Sequence, residues 1–306
     1  MALARRLGFW HVFCIASGAM ISSGLFVLPG LAYGQAGPAM VLSYALAAVL
    51  VIPAMLSQAE LATAMPRSGG SYFFIERSMG ALPGTLAGLA NWLSISLKSA
   101  FALIGIGAFA RLIWPETTET TIKLVAIGCC AAFTGLNILS VKGTGRAQVV
   151  MVAVLVAIVL AFIVLGMPAV QHRNFERFMA KGAWNVLAGA GLVFVSYGGL
   201  TKVASVAGEV RKPGRNLPAG MFLAMGVVSV LYVAAVFVTE GVLEPLRLYD
   251  ATAAPPRANL TPLSSAAGEF LGPAGVVLLA AAAMLAFVTT ANSGILSASR
   301  NPMAMA

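Results

Sequence analysis

Charged residues are scarce in this chain. Asp, Glu, Lys and Arg make up 9% of its 306 residues, and only ten of them are acidic. A soluble fold carries far more charged surface than that. Histidine occurs only twice, at His11 and His172, both away from the centres of the apolar runs. With no HExxH, no GxSxG and no paired carboxylates inside those runs, an enzyme embedded in a membrane is not expected. Cysteine is almost as rare. Cys14, Cys129 and Cys130 show no CxxC spacing and all lie in apolar runs, so neither a disulfide framework nor a metal site is supported. No cofactor is expected.

What the chain has instead is hydrophobic length. Apolar residues reach 59% and the mean hydropathy is +0.92. Runs of roughly 20 residues, enough to cross a bilayer, recur from end to end. The net charge of +9 does not mark a nucleic-acid binder, because the basic residues sit singly or in pairs between apolar runs. That is the pattern of the positive-inside bias. Arg5-Arg6 followed by an apolar stretch resembles a signal peptide, but the stretch is long, lacks a small-residue cleavage site and leads into another span. It counts as a helix.

The pattern predicts an all-α integral membrane protein, a single multi-pass domain over 1–306. Its eight spans fall near 9–33, 38–61, 82–113, 122–141, 147–167, 185–207, 217–240 and 274–297. Pro53 should kink the second span, and the third is long enough to be tilted. Met65 to Tyr72 reads as a turn-rich loop running into a short surface helix that ends near Gly80. The charged and aromatic stretch 168–183 reads as an interfacial segment, and 242–266, with Pro245, Pro255, Pro256 and Pro262, as a long irregular connection.

Counting cations on alternate sides orients the chain. Arg5, Arg6, Arg67, Arg77, Lys142, Arg146, Arg211, Lys212, Arg215 and Arg300 fall on the N-terminal side. They outnumber Arg111, Lys123, Arg173, Arg177, Lys181, Arg247 and Arg257 and crowd the short loops. The N-terminus is therefore expected in the cytoplasm, with the protein in the cytoplasmic (inner) membrane and lipid as its surroundings.

Three features do not fit plain spanning helices. Gly18-Ala-Met-Ile-Ser-Ser-Gly24 sets two glycines and two serines inside the first run. It is either a break in the helix whose freed backbone groups meet a solute, or a straight helix with a small-residue packing face. Phe194-Val-Ser-Tyr-Gly-Gly-Leu200 interrupts the sixth run in the same way. Interrupted helices five apart point to a midplane substrate site between inverted repeats. Lys98 and Lys202 are the third feature, since ionisable residues inside apolar runs usually face a cavity or a partner. Asn91, Ser94 and Lys98 share one helical face, whereas Lys202 lies about two turns from the end of its span and can snorkel.

These residues carry a resemblance. Gly18-Ala-Met-Ile-Ser-Ser-Gly-Leu-Phe26 with Pro29 is similar to the first-helix signature of the amino acid–polyamine–organocation superfamily of permeases. Glu60 to Tyr72 resembles the loop after that family's second helix. Ser196 to Leu200 leading to Gly208-Glu-Val-Arg-Lys-Pro-Gly-Arg-Asn-Leu-Pro218, and Ser297 to Arg300 with Met303-Ala304, resemble its helix six and the end of helix eight. The resemblance implies ten core helices in two inverted five-helix repeats, with helices one and six broken. Eight are present here, so an incomplete second repeat, and hence a fragment or truncated gene product, is expected. Ser22 stands where the family commonly has glycine, and Thr201-Lys202 where an acidic residue is frequent.

The expected function is a secondary carrier that moves amino acids or related amines by alternating access. Ser22, Ser23 and Gly24 should cradle the substrate carboxylate where a half-helix restarts near Leu25. The carbonyls of Met20, Val195 and Gly198 should accept from the ammonium, a contact the family pattern also implies. Gly24, Gly198 and Gly199 should let the ligand approach the backbone, and Tyr197 or Phe194 is a gate or packing. For coupling, the hydroxyls of Thr289, Ser293 and Ser297 on helix eight either help hold Na+, as in related carriers, or bond their own helix. The alternative is H+ coupling or exchange with Lys98 or Lys202 supplying charge, and the two positive charges favour it. A membrane solute-binding or sensory module that moves nothing is the competing function.

Overall fold

The computed structural model describes residues 5–139, 141–253 and 255–305, without the side chains of Ala108, Val141 and Lys142. Lys142, counted above among the N-terminal-side cations, therefore lies outside the described side chains. The chain is almost wholly helical: α1 (Phe9–Met20), α2 (Ser23–Phe26), α3 (Leu28–Ala36), α4 (Met40–Ala64), α5 (Ser71–Met79), α6 (Ala81–Ile113), α7 (Glu119–Leu139), α8 (Val141–Gly166), α9 (Ala183–Phe194), α10 (Leu200–Ser205), α11 (Pro213–Val242), α12 (Pro245–Leu248) and α13 (Pro262–Met305). Among the described residues, seven helical runs are long and apolar enough to cross a membrane. The expected eighth falls short by that measure because the first crossing is cut into pieces. Its first part, α1, has only 12 residues. Its last part, α3, joins the next run until Gly37 turns the chain with φ +61°.

Large apolar side chains face outwards, among them Leu86, Phe101, Leu124, Ile127, Leu160 and Val164. α7 buries none of its residues. A helix that is apolar on its outer face belongs in lipid, and the protein is a multi-pass membrane protein.

The packing has a five-helix period. With α1–α3 counted as the first crossing and α9–α10 as the sixth, α1 packs on the 195–199 turn and α10, α4 on α11, and α6 on α13. The first three crossings thus each meet the one five places later. Five is odd, so partners run in opposite directions, which is the arrangement of inverted repeats.

Two connections differ from expectation. The irregular stretch 242–266 contains α12, a two-stranded antiparallel hairpin (β1, Tyr249–Asp250; β2, Arg257–Ala258) and the start of α13. Helix α13 begins at Pro262, a favourable first-turn residue, and bends at Gly272 (φ +65°) before the expected span. The segment 168–183 is tied down by buried Asn174, whose amide donates to the carbonyls of Glu240, Gly241 and Leu243 at 2.9–3.3 Å. It satisfies the carbonyls left over at the end of α11.

One end of the bundle is strapped shut. Leu7 bridges Val210 in parallel, Arg6 N–H and Leu7 N–H donate to Glu209 O, and Arg211 N–H donates to Leu7 O. The Glu209 carboxylate, almost fully buried, meets Arg300 from α13 at 2.5 Å. Arg173–Glu244 and Arg247–Glu269 pairs decorate the opposite end, beside the hairpin.

Candidate functional site

The first crossing breaks at two residues. Ile21 is extended (φ −70°, ψ 96°) and Ser22 is non-helical (φ −155°, ψ −125°). The helix restarts at Ser23, earlier than the expected Leu25, and runs a single turn before Val27 interrupts it again. A broken helix leaves carbonyls at the end of α1 and N–H groups at the start of α2 without helical partners.

The carbonyls are taken by the protein itself. Tyr232 of α11 donates to Met20 O at 2.7 Å, and Tyr44 of α4 donates to Gly24 O at 2.7 Å. Thr289 and Thr290 both donate to Gly18 O, at 3.2 and 2.9 Å. Met20 O, expected to receive a substrate ammonium, thus already accepts from a tyrosine hydroxyl on one of its two lone pairs. Gly198 O is likewise engaged, by Thr201 Oγ1 at 2.8 Å.

The sixth crossing is interrupted more mildly. Val195–Gly199 tightens into a 3₁₀ turn, but Val195, Gly199 and Leu200 keep right-handed helical angles. The chain is wound tighter there, not unwound. Two of the three glycines expected to admit a ligand serve helix packing. A Cβ on Gly24 would lie 2.5 Å from Ser196 Oγ and 2.6 Å from the Tyr232 hydroxyl. One on Gly199 would lie 2.8 Å from Ala16 O and Met20 N. Only Gly198 looks onto open space, with Lys98 Nζ its nearest neighbour at 4.0 Å. Tyr197 is also a packing residue, almost fully buried, with its ring 5.5 Å from Tyr232 and its hydroxyl 3.2 Å from Ser229 Oγ. Phe194, by contrast, is part-exposed on a cavity wall.

Two cavities adjoin these segments. The larger, of about 670 Å³, has Ser22 and Ser23 on one wall, Val195 and Ser196 on another, and Ser94 and Lys98 on a third. The smaller, of about 330 Å³, is lined by Asn91, Ser94, Lys98, Gly198 and Lys202 with residues of α4. Lys98 and Ser94 border both. Ser196 Oγ is buried without a hydrogen-bond partner, as are Lys98 Nζ and Asn91 Nδ2. The face Asn91–Ser94–Lys98 thus lies on the cavities, as its spacing suggests.

Lys202 does not snorkel. It is fully buried, and its Nζ donates to Thr290 O at 3.0 Å, against the small residue Gly294 of α13. Snorkelling needs a side chain that points away from its neighbours. This one lies on the face of α10 that packs on α13. The hydroxyl stripe splits in its use: Ser293 bonds its own helix at Thr290 O, Ser297 bonds Lys202 O, and Thr289 shares its proton between its own helix at Ala286 O (2.8 Å) and Gly18 O of helix one (3.2 Å).

Sequence reasoning missed Tyr44, Tyr232 and Thr290 as parts of this region. It also missed a buried amide chain in which Gln148 donates to Cys14 O and Thr289 O and Asn292 donates to Gln148 Oε1, at 2.9–3.3 Å. A lone Tyr, Gln or Asn inside an apolar run is the signal that could have found them, because such groups bond across helices in membranes.

Comparison with known proteins places the chain. Residues 7–306 match the family described as amino acid permease. The chain is 31% identical to the branched-chain amino acid permease BcaP of Bacillus subtilis (strain 168), over 79% of this chain and 56% of that protein. It is 27% identical to the inner membrane transport protein YbaT of Escherichia coli (strain K12), over 95% of this chain and 67% of that protein. With cationic amino acid transporter 1 of Arabidopsis thaliana it shares 28% identity, over 81% of this chain and 44% of that one. The matches therefore span roughly half to two thirds of these relatives' lengths. The chain belongs to the amino acid permease family, within the superfamily that its motifs resemble.

Proposed function

We propose that this member of the amino acid permease family binds an amino acid in the larger cavity and carries it across the cytoplasmic membrane by alternating access. One observation supports the reading above others. The break at Ile21–Ser22 and the 3₁₀ turn at Val195–Gly199 border the same cavity, and unpartnered polar atoms line it. The substrate carboxylate lies against the restart at Ser22, Ser23 and Gly24, where unpaired N–H groups favour an anion. The ammonium is received by Ser196 Oγ and by the second lone pairs of the Met20, Val195 and Gly198 carbonyls. Gly199 and Tyr197 shape the site from behind, and Phe194 is the better placed gate.

Lys202 supplies the fixed charge between helices six and eight. Its ammonium sits on Thr290 O, one residue from the hydroxyl that grips Gly18 O, so transport proceeds with H+ or by exchange, without bound Na+. Thr289 then ties helix one to helix eight, and Ser293 serves its own helix. The N-terminus is cytoplasmic. The strapped end, with Arg211 and Arg300, is the inner gate in its closed position. Leu260, next to the hairpin and on the outer side in this orientation, lines the cavity.

Equilibrium binding and counterflow of the purified chain in proteoliposomes, over a panel of amino acids, test this together. Binding with counterflow is the expected outcome. Binding without counterflow would leave a solute-binding module, and the absence of both would remove the reading.

A further inference from the structure

The two cavities share a wall that is rich in donors and carries positive charge. Lys98 Nζ is buried without a hydrogen-bond partner, and so is Asn91 Nδ2, about two turns away on the same face of α6. Lys202 lines the smaller cavity as well. Among the described residues, no Asp or Glu lines either cavity. Gln58 Oε1, a buried acceptor on the α4 wall, hydrogen-bonds to neither lysine. A buried ammonium is costly unless a counter-charge or several acceptors join it. Lys202 has found a carbonyl. Lys98 has found nothing, though it borders both cavities.

We propose that the ligand of this site is an amino acid whose side chain ends in a carboxylate, and that Lys98 and Asn91 receive that second carboxylate. The proposal rests on the reading that an amino acid binds in the larger cavity. It adds the side-chain class. Lys98 borders both cavities, so a short anionic side chain can extend from the larger one, past Ser94, into the smaller. There the ammonium of Lys98 and the amide of Asn91 are donors lacking acceptors, and an ionised carboxylate is an acceptor-only group with room for both. A cationic side chain entering the same space would meet Lys98 and Lys202 with no acid to offset them. A neutral apolar side chain would leave both donors unpaired.

The test uses the full chain in detergent, with L-glutamate, L-glutamine, L-leucine and L-lysine as probes in equilibrium binding. Glutamate and glutamine are nearly isosteric, so their ratio isolates the charge. Glutamate should bind roughly tenfold to a hundredfold more tightly than glutamine, the range of a hydrogen bond to a charged group, and lysine most weakly of the four. In Lys98→Met the glutamate-to-glutamine ratio should collapse to about one, while Lys98→Arg should keep most of it, because the charge and donors persist. Equal affinity for glutamate and glutamine in the wild type would overturn the proposal, as would a preference that survives in a folded Lys98→Met protein. If Lys98→Met does not fold, the wild-type ratio alone decides. Tight leucine binding without any glutamate preference would overturn this inference and spare the carrier reading. Failure of all four probes to bind would remove both.

Discussion

Removing one hydroxyl should loosen the broken first crossing. Tyr232→Phe keeps the ring, and with it the edge contacts to Tyr44 and Tyr197 at 5.7 and 5.5 Å. What disappears is the 2.7 Å hydrogen bond to Met20 O. Met20 is fully buried and ends α1, so its carbonyl has neither water nor a continuing helix to turn to. Leaving a buried acceptor unsatisfied costs about 1–3 kcal/mol, and no cavity term adds to it because the volume hardly changes. Tyr44→Phe does the same at Gly24 O, on the far side of the break. Because the two hydroxyls pin the same short non-helical segment, the double variant should depart from additivity by roughly 0.5 kcal/mol or more. Denaturant unfolding of the purified chain in detergent reads these values, and ligand binding reads the loss of preorganisation. At about 1.4 kcal/mol per tenfold, affinity should fall roughly 5- to 100-fold if the whole penalty appears in the site. A Tyr232→Phe protein with wild-type unfolding and wild-type affinity would refute the claim that tyrosine hydroxyls hold the break open.

Gly24→Ala should destabilise by about 1–3 kcal/mol through overpacking against Ser196 and Tyr232; unfolding unchanged from wild type would show that the first and sixth crossings part easily. Lys202→Met should abolish uptake or its pH dependence, and replacing Na+ by choline should leave wild-type uptake unchanged; a sodium requirement in the wild type would remove Lys202 from the coupling role. Glu240, nearly fully buried with neither carboxylate oxygen hydrogen-bonded, should be replaceable by Met with a gain of about 1–3 kcal/mol; a loss would reveal that the carboxylate has a partner. Cysteines placed at 211 and 256 should be protected from, and labelled by, an impermeant reagent in whole cells respectively; the reverse pattern would invert the topology.

The apolar, membrane-length helices and the first break were legible because they rest on composition. Two glycines and two serines within seven residues weaken a helix whatever surrounds them, and the structure breaks there, at Ile21 and Ser22. The sixth interruption was legible on the same grounds, but its form, a 3₁₀ turn, was not. Gly198 and Gly199 permit unwinding without requiring it, and the close approach of Gly199 to Ala16 O and Met20 N explains glycine there by packing. The direction of a lysine was not legible. Whether Lys202 snorkels depends on which face of a six-residue helix meets α13, a tertiary fact. Nor were Tyr44 and Tyr232, which look like ordinary apolar-run residues until the carbonyls they satisfy are located.

The way the break is satisfied bears on what it can bind. A cut helix frees acceptors on one side and donors on the other, in equal measure. Here the protein has used its own donors on the acceptors: Thr289 and Thr290 on Gly18 O, Tyr232 on Met20 O, Tyr44 on Gly24 O, and Thr201 on Gly198 O. Lys202 adds a further donor and consumes another carbonyl, Thr290 O. Among the described residues the start of α2 has no side-chain cap, Lys98 Nζ remains unpaired on the cavity that Ser22 and Ser23 line, and Asn91 Nδ2 remains unpaired on the smaller one. Among the described residues that line the cavities, two buried donors, Lys98 Nζ and Asn91 Nδ2, are unpaired against one pure acceptor, Gln58 Oε1, and the Ser196 hydroxyl can serve either way, so the balance leans towards donors. A ligand that restores the balance must bring acceptors, and an amine with no carboxylate brings none. An amino acid brings one carboxylate against one ammonium. Of the ligand chemistries open to an amino acid permease, the one with a second carboxylate leaves the fewest of these buried donors without a partner.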